Sequence, residues 1–146
     1  MADIADTAMV HRAATRDDAA PRAALAPLAT VGADAWRELA GRAVEPNGYY
    51  LPDWELAVDA SARDRTGVSA IRAFGDGRLT GLLPVISLWR AYRIPLPALV
   101  SADPYGTLCT PLLDRERAEA AALELMRQAR AAGAHALLLR AVALDG

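Results

Sequence analysis

Lysine is absent from this sequence of 146 residues, and its sixteen basic residues are all arginine. They are interspersed with eighteen acidic residues, which leaves a net charge of -2 at pH 7. A protein that binds nucleic acid or an anionic membrane usually carries a basic stripe or patch. Because the sequence contains no such run, we expect neither nucleic acid nor a membrane as a partner.

Cysteine and histidine are scarce as well. Cys109 is the only cysteine, which excludes an internal disulfide and a multi-cysteine zinc site. The two histidines are His11, in a tail rich in Ala and Asp, and His135, at the start of an apolar run. We therefore expect an inert packed thiol at Cys109, no metal site, and a reducing, cytoplasmic location.

Long hydrophobic runs are also missing. The longest, LTGLLPVISLW, has about half of the ~20 residues that a helix needs to cross a bilayer. Asp3 and Asp6 occupy the stretch where a signal peptide would carry positive charge. We expect a soluble protein with a flexible arm over residues 1–22 and one domain over residues 23–146.

Two helices are predicted after a short first strand. The strand is expected within Ala23–Val31, where Pro27 restricts it to the edge of a sheet. Helical spacing predicts a first helix over Ala33–Val44, capped by Asp34. A second helix begins at Pro52, since proline is favourable at a first helical position. The expected buried stripes are Trp36, Leu39, Ala40 and Ala43 in the first helix, and Trp54, Ala57, Val58 and Ser61 or Ala62 in the second.

A hairpin and two short strands are predicted next. The runs GVSAIRAF and RLTGLLPVISLW flank GDG, which is a strong signal for a tight turn. Pro84 cannot donate to a strand ladder, so we expect a bulge or a sheet edge there. Short strands are expected around ALVS and TLCTPLL.

The clearest predicted element is a helix over DRERAEAAALELMRQARAAG, capped by Asp114 and ended by Gly133. Its expected buried stripe is Ala118, Ala121, Ala122, Leu125, Ala129 and Ala132. HALLLRAV then predicts a strand buried on both faces, which forms a parallel pair through a right-handed crossover. The predicted fold class is α+β (α/β), with two helices, an antiparallel hairpin and a strand–helix–strand crossover on a mixed sheet.

This order of elements resembles the first two thirds of the GNAT acyltransferase fold. WRELAGRAVEPNGYYLPDWELA (36–57), GLLPV (81–85) and YGTLCTPLLD (105–114) resemble the amino-terminal half of the CelD-like acetyltransferases, relatives of the Fem-type peptidyltransferases. The resemblance implies acetyl-CoA or another acyl-CoA as the cofactor. It also implies that the catalytic half lies carboxy-terminal, where this sequence shows no corresponding segment, so we expect one half of a two-half enzyme.

In the resembled fold a glycine-rich turn before a helix binds the coenzyme diphosphate through backbone N–H groups. The equivalent turn here is TPLLDRER, residues 110–117. Pro111 has no N–H, two leucines replace glycine, and Asp114 and Glu116 add negative charge. Arg115 and Arg117 are the only candidates for binding an anion there, and each is equally consistent with a solvated side chain. We expect no cofactor to bind this chain alone.

Residues on the acceptor side of the resembled fold are the candidate site. Asn47, Tyr49 and Tyr50 lie in the loop between the first two helices, and Asp103, Tyr105 and Gly106 lie in the later loop SADPYG. Each group is also consistent with a simple connection, and the two helical tryptophans with packing against the sheet. Glu45 is the only candidate general base. The acceptor remains open between an amine, a sugar hydroxyl and a peptide.

Two functions follow from the resemblance. The first is a domain that shapes the acceptor pocket of an N- or O-acyltransferase whose chemistry belongs to a second GNAT-like half. The second is a binding or dimerising module that retains the fold without the reaction. Because HALLLRAV normally has further neighbours in a sheet, we also expect self-association into a dimer.

Overall fold

A six-stranded mixed sheet organises the part of the chain that the computed structural model describes, residues 24–61, 67–102, 105 and 108–143. The expected arm over residues 1–22 lies outside these ranges. The strands are β1 (Ala26–Pro27), β2 (Ser69–Gly75), β3 (Arg78–Ser87), β4 (Ala98–Ser101), β5 (Leu112–Leu113) and β6 (Ala136–Leu138). The helices are α1 (Ala33–Gly41), α2 (Pro52–Ser61), α3 (Leu88–Tyr92) and α4 (Ala118–Ala131).

The strand order is β1-β2-β3-β4-β6, with β5 paired to β3 beside this path. All pairs are antiparallel except β4 and β6, which run parallel. β1 is an edge strand, as Pro27 predicted. The predicted α+β class and the mixed sheet are therefore confirmed. A parallel pair is present, but the partner of β6 is β4, because β5, the strand directly before α4, pairs antiparallel with β3.

The hairpin of β2 and β3 is confirmed at its turn. Asp76 and Gly77 both have positive φ, 50° and 77°, which matches the type I′ turns that fit the twist of a two-residue hairpin. A bulge interrupts the ladder nearby, because Ala73 pairs with Gly81 whereas Phe74 pairs with Leu79. Thr80 is thus the extra residue of β3.

Pro84 was expected at a bulge or an edge, and that prediction is wrong. It lies opposite Ala70 within the central strand β3. Its carbonyl oxygen accepts a hydrogen bond from the N–H of Ala102 at 2.9 Å, and the nitrogen of an extended residue points to the same side as its carbonyl. The ring nitrogen therefore faces Ala102, just beyond the end of β4, and the carbonyl of Ala102 accepts a hydrogen bond from the hydroxyl of Tyr50 instead.

The first helix differs from the prediction at its start. The N-cap is Gly32, and Asp34 lies inside the first turn without capping it, where its charge still favours the positive end of the helix dipole. Trp36 and Leu39 are fully buried, as predicted. Trp36 also donates its indole N–H to the carbonyl oxygen of Tyr50 at 2.7 Å.

The second helix begins at Pro52 as predicted but presents a different face. Pro52, Glu55 and Val58 are buried, whereas Ala57 is exposed and Trp54 is 42% exposed. The predicted packing of Trp54 against the sheet is therefore wrong. The stripe that does face the core contains a fully buried acid, which a hydrophobic pattern does not select.

The last helix and strand are confirmed in position and corrected in detail. In α4, Ala121, Leu125 and Ala129 of the predicted stripe are buried, but Ala132 is exposed. Gly133 ends the helix with a φ of 86°, a left-handed conformation that glycine adopts without strain. β6 is largely exposed, so the prediction of burial on both faces is wrong: α4 covers mainly β2 and β3 rather than this edge. The short helix α3 was assigned to a strand.

The end of α1 is joined to the start of α4 by a partly buried ion pair. Asp114 is not the cap of α4, which is Arg117. Arg42 donates from Nε to the buried carboxylate of Asp114 at 2.7 Å and from Nη2 to the carbonyl of Leu79 at 2.6 Å. The Arg42 hydrogen bond holds the pKa of Asp114 below its usual value against the opposing effect of burial, and the N–H of Glu116 adds to the lowering.

We expect Asp114→Asn to lower the free energy of unfolding at pH 7 by about 1.5–3 kcal/mol, the usual net contribution of a hydrogen bond to a charged group. Because the folded pKa is depressed, the advantage of the unsubstituted chain is complete above the unfolded pKa, near ~4. It is lost as the pH falls through the folded pKa. Urea denaturation at a series of pH values measures both effects.

Asp53→Asn is the matched control, because Asp53 forms an exposed ion pair with Arg37 at 2.7 Å. An exposed pair contributes little to stability, so this variant should unfold close to the unsubstituted chain. Equal losses in the two variants at pH 7 would contradict the assignment. So would a loss in Asp114→Asn that persists at the lowest pH.

Candidate acceptor site

The loop between α1 and α2 is fixed from inside by Asn47. Its side-chain amide donates to the carbonyls of Leu108 at 3.2 Å and Thr110 at 3.0 Å. Its Oδ1 accepts the N–H of Tyr49 at 3.0 Å and so caps the 3₁₀ turn Gly48–Tyr50. One buried side chain therefore joins this loop to the segment before β5.

Tyr50 is the second anchor of the loop. Its ring is fully buried, and its hydroxyl donates to the carbonyl of Ala102 at 2.9 Å. Its own carbonyl receives the indole hydrogen bond of Trp36. Asn47 and Tyr50, both candidates for ligand contact, thus have their polar groups inside the protein, where they position the loop.

Tyr49 and Trp54 form the exposed part of the same loop and helix. Their rings meet edge to face, with centroids 6.1 Å apart and planes 71° apart, an arrangement that favours aromatic pairs. Trp54 is exposed and Tyr49 is half-buried. We call Tyr49, Trp54 and the exposed neighbour Leu51 the aromatic corner.

An ion pair lies beside the aromatic corner. Arg37 donates from Nη2 and Nε to the two carboxylate oxygens of Asp53, at 2.7 and 3.3 Å. This contact lowers the pKa of Asp53 and raises the pKa of Arg37. An ionised carboxylate held by a guanidinium is a poor proton acceptor. The corner can therefore stack on a ligand, but it offers no evident general base.

Two of the remaining acceptor candidates, Glu45 and Tyr105, lie within the described residues. Glu45 is half-buried, and no hydrogen bond or ion pair within the described ranges engages its carboxylate. Tyr105 is 71% exposed. Asp103 and Gly106 lie outside the described residues. Helical spacing placed Trp54 on the buried face of α2, whereas the face that packs on the core carries Glu55.

The turn before α4 offers no free row of backbone donors at residues 114–117. The N–H groups of Asp114, Arg115 and Arg117 donate to the carbonyls of Thr80, Arg42 and Asp114, at 2.8, 3.1 and 3.0 Å. The N–H of Glu116 donates to the Asp114 carboxylate at 3.1 Å. A diphosphate site of this type depends on free N–H groups, and these four already have acceptors.

The two arginines of this turn are also engaged. Arg115 donates from Nη2 to the carbonyl of Ala43 at 3.2 Å. Arg117 forms a short ion pair with Asp76 in the β2–β3 turn. Both contacts leave the guanidinium groups partly exposed. They hold the two side chains against neighbouring elements and do not direct them to one shared anion.

The parallel strands β4 and β6 are paired over residues 98–100 and 136–138. Leu99 lies opposite Leu137, and Val100 lies opposite Leu138. Beyond β6, the carbonyl of Ala141 accepts the N–H of Cys109 at 3.0 Å. Cys109 itself is buried, as predicted. The chain after β6 therefore closes against the segment before β5.

Within the described ranges, no group of three or more His, Cys, Asp or Glu side chains is arranged to hold a metal ion. None of the helices described is long and apolar enough to cross a bilayer. Comparison of the chain with protein-family models, with curated proteins and with solved structures gave no match. The candidate site therefore rests on its own geometry.

We expect Asn47→Ala to lower the free energy of unfolding by about 2–4 kcal/mol, because three hydrogen bonds worth roughly 1 kcal/mol each are lost and two carbonyls lose a donor. Trp54→Ala, at an exposed position in α2, should lower the free energy of unfolding by less than about 1 kcal/mol. Urea denaturation of the two variants measures the difference. A neutral Asn47→Ala would show that the loop is not held by this side chain.

Proposed function

We propose that this chain is the acceptor-binding half of a GNAT-like acyltransferase and that it is not catalytic alone. The acceptor binds at the aromatic corner formed by Tyr49, Leu51 and Trp54. Acyl-CoA and the chemistry belong to a second GNAT-like half. The reaction class comes from the resemblance of the sequence. The geometry supports the assignment of acceptor binding to this chain and of acyl-CoA binding to a second half.

The observation that carries the proposal is a contrast between two features that follow the carboxyl end of α1. At its carboxyl end, Arg42 and Asp114 close the turn where the resembled fold holds a diphosphate. Beyond that end, Asn47 and Tyr50 fix a loop that leaves aromatic rings exposed. Buried anchors with exposed rings are typical of a preorganised binding surface, since the cost of ordering the loop is met before the ligand arrives.

The chemistry of the corner favours an acceptor with an apolar face. Exposed tyrosine and tryptophan rings present large, rigid area to a ligand and lose little conformational entropy on binding. The ion pair of Arg37 and Asp53 adds hydrogen-bonding groups at one side. A sugar ring or a short peptide meets both requirements, because each combines C–H surface with polar edges.

A non-catalytic binding or dimerisation module with a retained GNAT-like fold is the alternative. It is favoured by the exposed strand β6, since a strand at the edge of a sheet can pair with a strand of another chain. The two functions differ in one respect. A second GNAT-like half that restores acyl transfer when mixed with this chain supports the first, and its failure to do so supports the second.

We expect acetyl-CoA to produce no binding signal below millimolar concentration in isothermal titration with this chain. The reason is that the backbone donors of residues 114–117 are already used and two acids adjoin them. A GNAT acetyltransferase of known coenzyme affinity is the positive control. Micromolar affinity would overturn the assignment of the coenzyme to a second half.

We expect acceptor-like probes to bind at the aromatic corner. Saturation-transfer NMR with cellobiose, N-acetylglucosamine and a capped tripeptide should show transfer to at least one probe and its loss in Trp54→Ala. Trp89→Ala is the matched control, because Trp89 is also an exposed tryptophan but lies on α3. Equal loss in both variants, or no transfer to any probe, would contradict the site.

A further inference from the structure

A groove lies between α4 and β6, away from the aromatic corner. Its volume is about 850 Å³. One wall is α4 and the other is the connection from α4 into β6. The residues that line it are Leu123, Met126, Arg127, Ala129, Arg130 and the segment 133–137. We call this the α4–β6 groove.

The α4 wall of the groove is a second face of that helix. Leu123, Met126, Arg127 and Arg130 follow the spacing i, i+3, i+4 and i+7, which places them on one side of a helix. Leu123 is 46% exposed and Met126 is 53% exposed. The face that packs on the sheet consists of other residues, so this apolar surface is not explained by the core.

The other border of the groove is an open sheet edge. β6 pairs with β4 on one side, and no strand lies on its other side among the described residues. An extended segment that adds to such an edge gains main-chain hydrogen bonds, and its alternate side chains reach an adjoining groove. Leu138 and Leu139 are exposed at the same edge. The geometry therefore suits a strand more than a compact ligand.

The charged residues around the α4–β6 groove indicate which kind of segment would bind there. The sequence contains no Asp or Glu between Glu124 and Asp145, whereas Arg127, Arg130 and His135 border the groove. Arg127 is paired with Glu124 at 2.9 Å. Arg130 and His135 are exposed, and no ion pair with either is found within the described ranges. Because Arg127 is offset by Glu124, the net positive charge of the rim comes from Arg130, although the chain as a whole is acidic.

We propose that the α4–β6 groove binds an extended, acidic segment of a partner protein, which adds to β6 as a strand. Its apolar side chains pack on Leu123 and Met126, and its carboxylates lie against Arg130 and His135. A second copy of this chain is the poorer occupant, because pairing two β6 strands brings together two rims of the same net positive charge. The self-association expected from the sequence stays a separate prediction for the same edge.

The test uses the whole chain and fluorescent, capped peptides of about six residues, a typical strand length. One peptide alternates valine with glutamate, and its counterpart alternates valine with lysine. Fluorescence anisotropy at low salt should show the glutamate peptide binding about tenfold more tightly. Arg130→Glu should abolish or reverse this preference. Arg78→Glu, which makes the same charge change at the β2–β3 turn, should leave it intact.

Strand addition is separated from simple charge attraction by a third peptide. N-methylation of alternate residues in the glutamate peptide removes backbone donors and retains the side chains, so its binding should be lost. Retained binding would overturn strand addition, and equal binding of the glutamate and lysine peptides would overturn the acidic partner. A dimer whose formation protects the amides of residues 136–138 from hydrogen exchange would assign the edge to a second copy instead. The acceptor test is independent, because it probes α2 and its preceding loop.

Discussion

The ion pair of Arg42 and Asp114 connects residues 72 positions apart in the chain. Arg42 ends α1, and Asp114 follows β5 and opens the turn into α4. The carbonyl of Arg42 also accepts the N–H of Arg115, and the N–H of Val44 donates to the carbonyl of Leu113. Side-chain and backbone contacts therefore both join the end of α1 to the turn before α4. Together they fix the position of the loop that follows α1.

That position determines what the loop can present. From the end of α1 the chain reaches Asn47 within five residues, and Asn47 is tied to the carbonyls of the segment before β5. The chain around the end of α1 is thus attached to residues 108–114 at two points. One is the ion pair of Arg42 with Asp114, and the other is the set of hydrogen bonds from Asn47. With Asn47 and Tyr50 buried, Pro46, Gly48 and Leu51 are exposed, and Tyr49 lies half-buried beside the start of α2. The aromatic corner is a consequence of this double attachment.

Much of the fold was predictable because local chemistry determined it. Asp76 and Gly77 indicate their turn, Pro52 begins α2 and Gly133 ends α4, each through a backbone preference that needs no tertiary context. The choice of a buried face did require that context. In α2, Glu55 is buried and Trp54 is exposed. A ranking by hydrophobicity would predict the opposite. The exposure of β6 likewise depends on where α4 lies, which no local signal specifies.

The candidate site was predictable in location but not in the role of each residue. The sequence places Asn47, Tyr49, Tyr50 and Trp54 within eight positions, yet it does not reveal which polar tips find partners inside. That outcome depends on carbonyls of Ala102, Leu108 and Thr110, which are remote in sequence. Buried amides and hydroxyls are satisfied by whichever acceptors the fold brings near, so position in a loop is a weak guide to ligand contact.

At the turn of Asp114, the hydrogen bonds that hold the fold use the same backbone N–H groups that a diphosphate site of the resembled fold would need. A diphosphate requires the N–H groups of residues 114–117, but those groups are bonded to Thr80, Arg42 and Asp114 itself. Releasing them for a ligand would break the backbone hydrogen bond between Arg115 and Arg42, which lies beside the ion pair of Arg42 and Asp114. Replacing Asp114 by glycine would also remove that ion pair, and with it part of the attachment of the loop that follows α1.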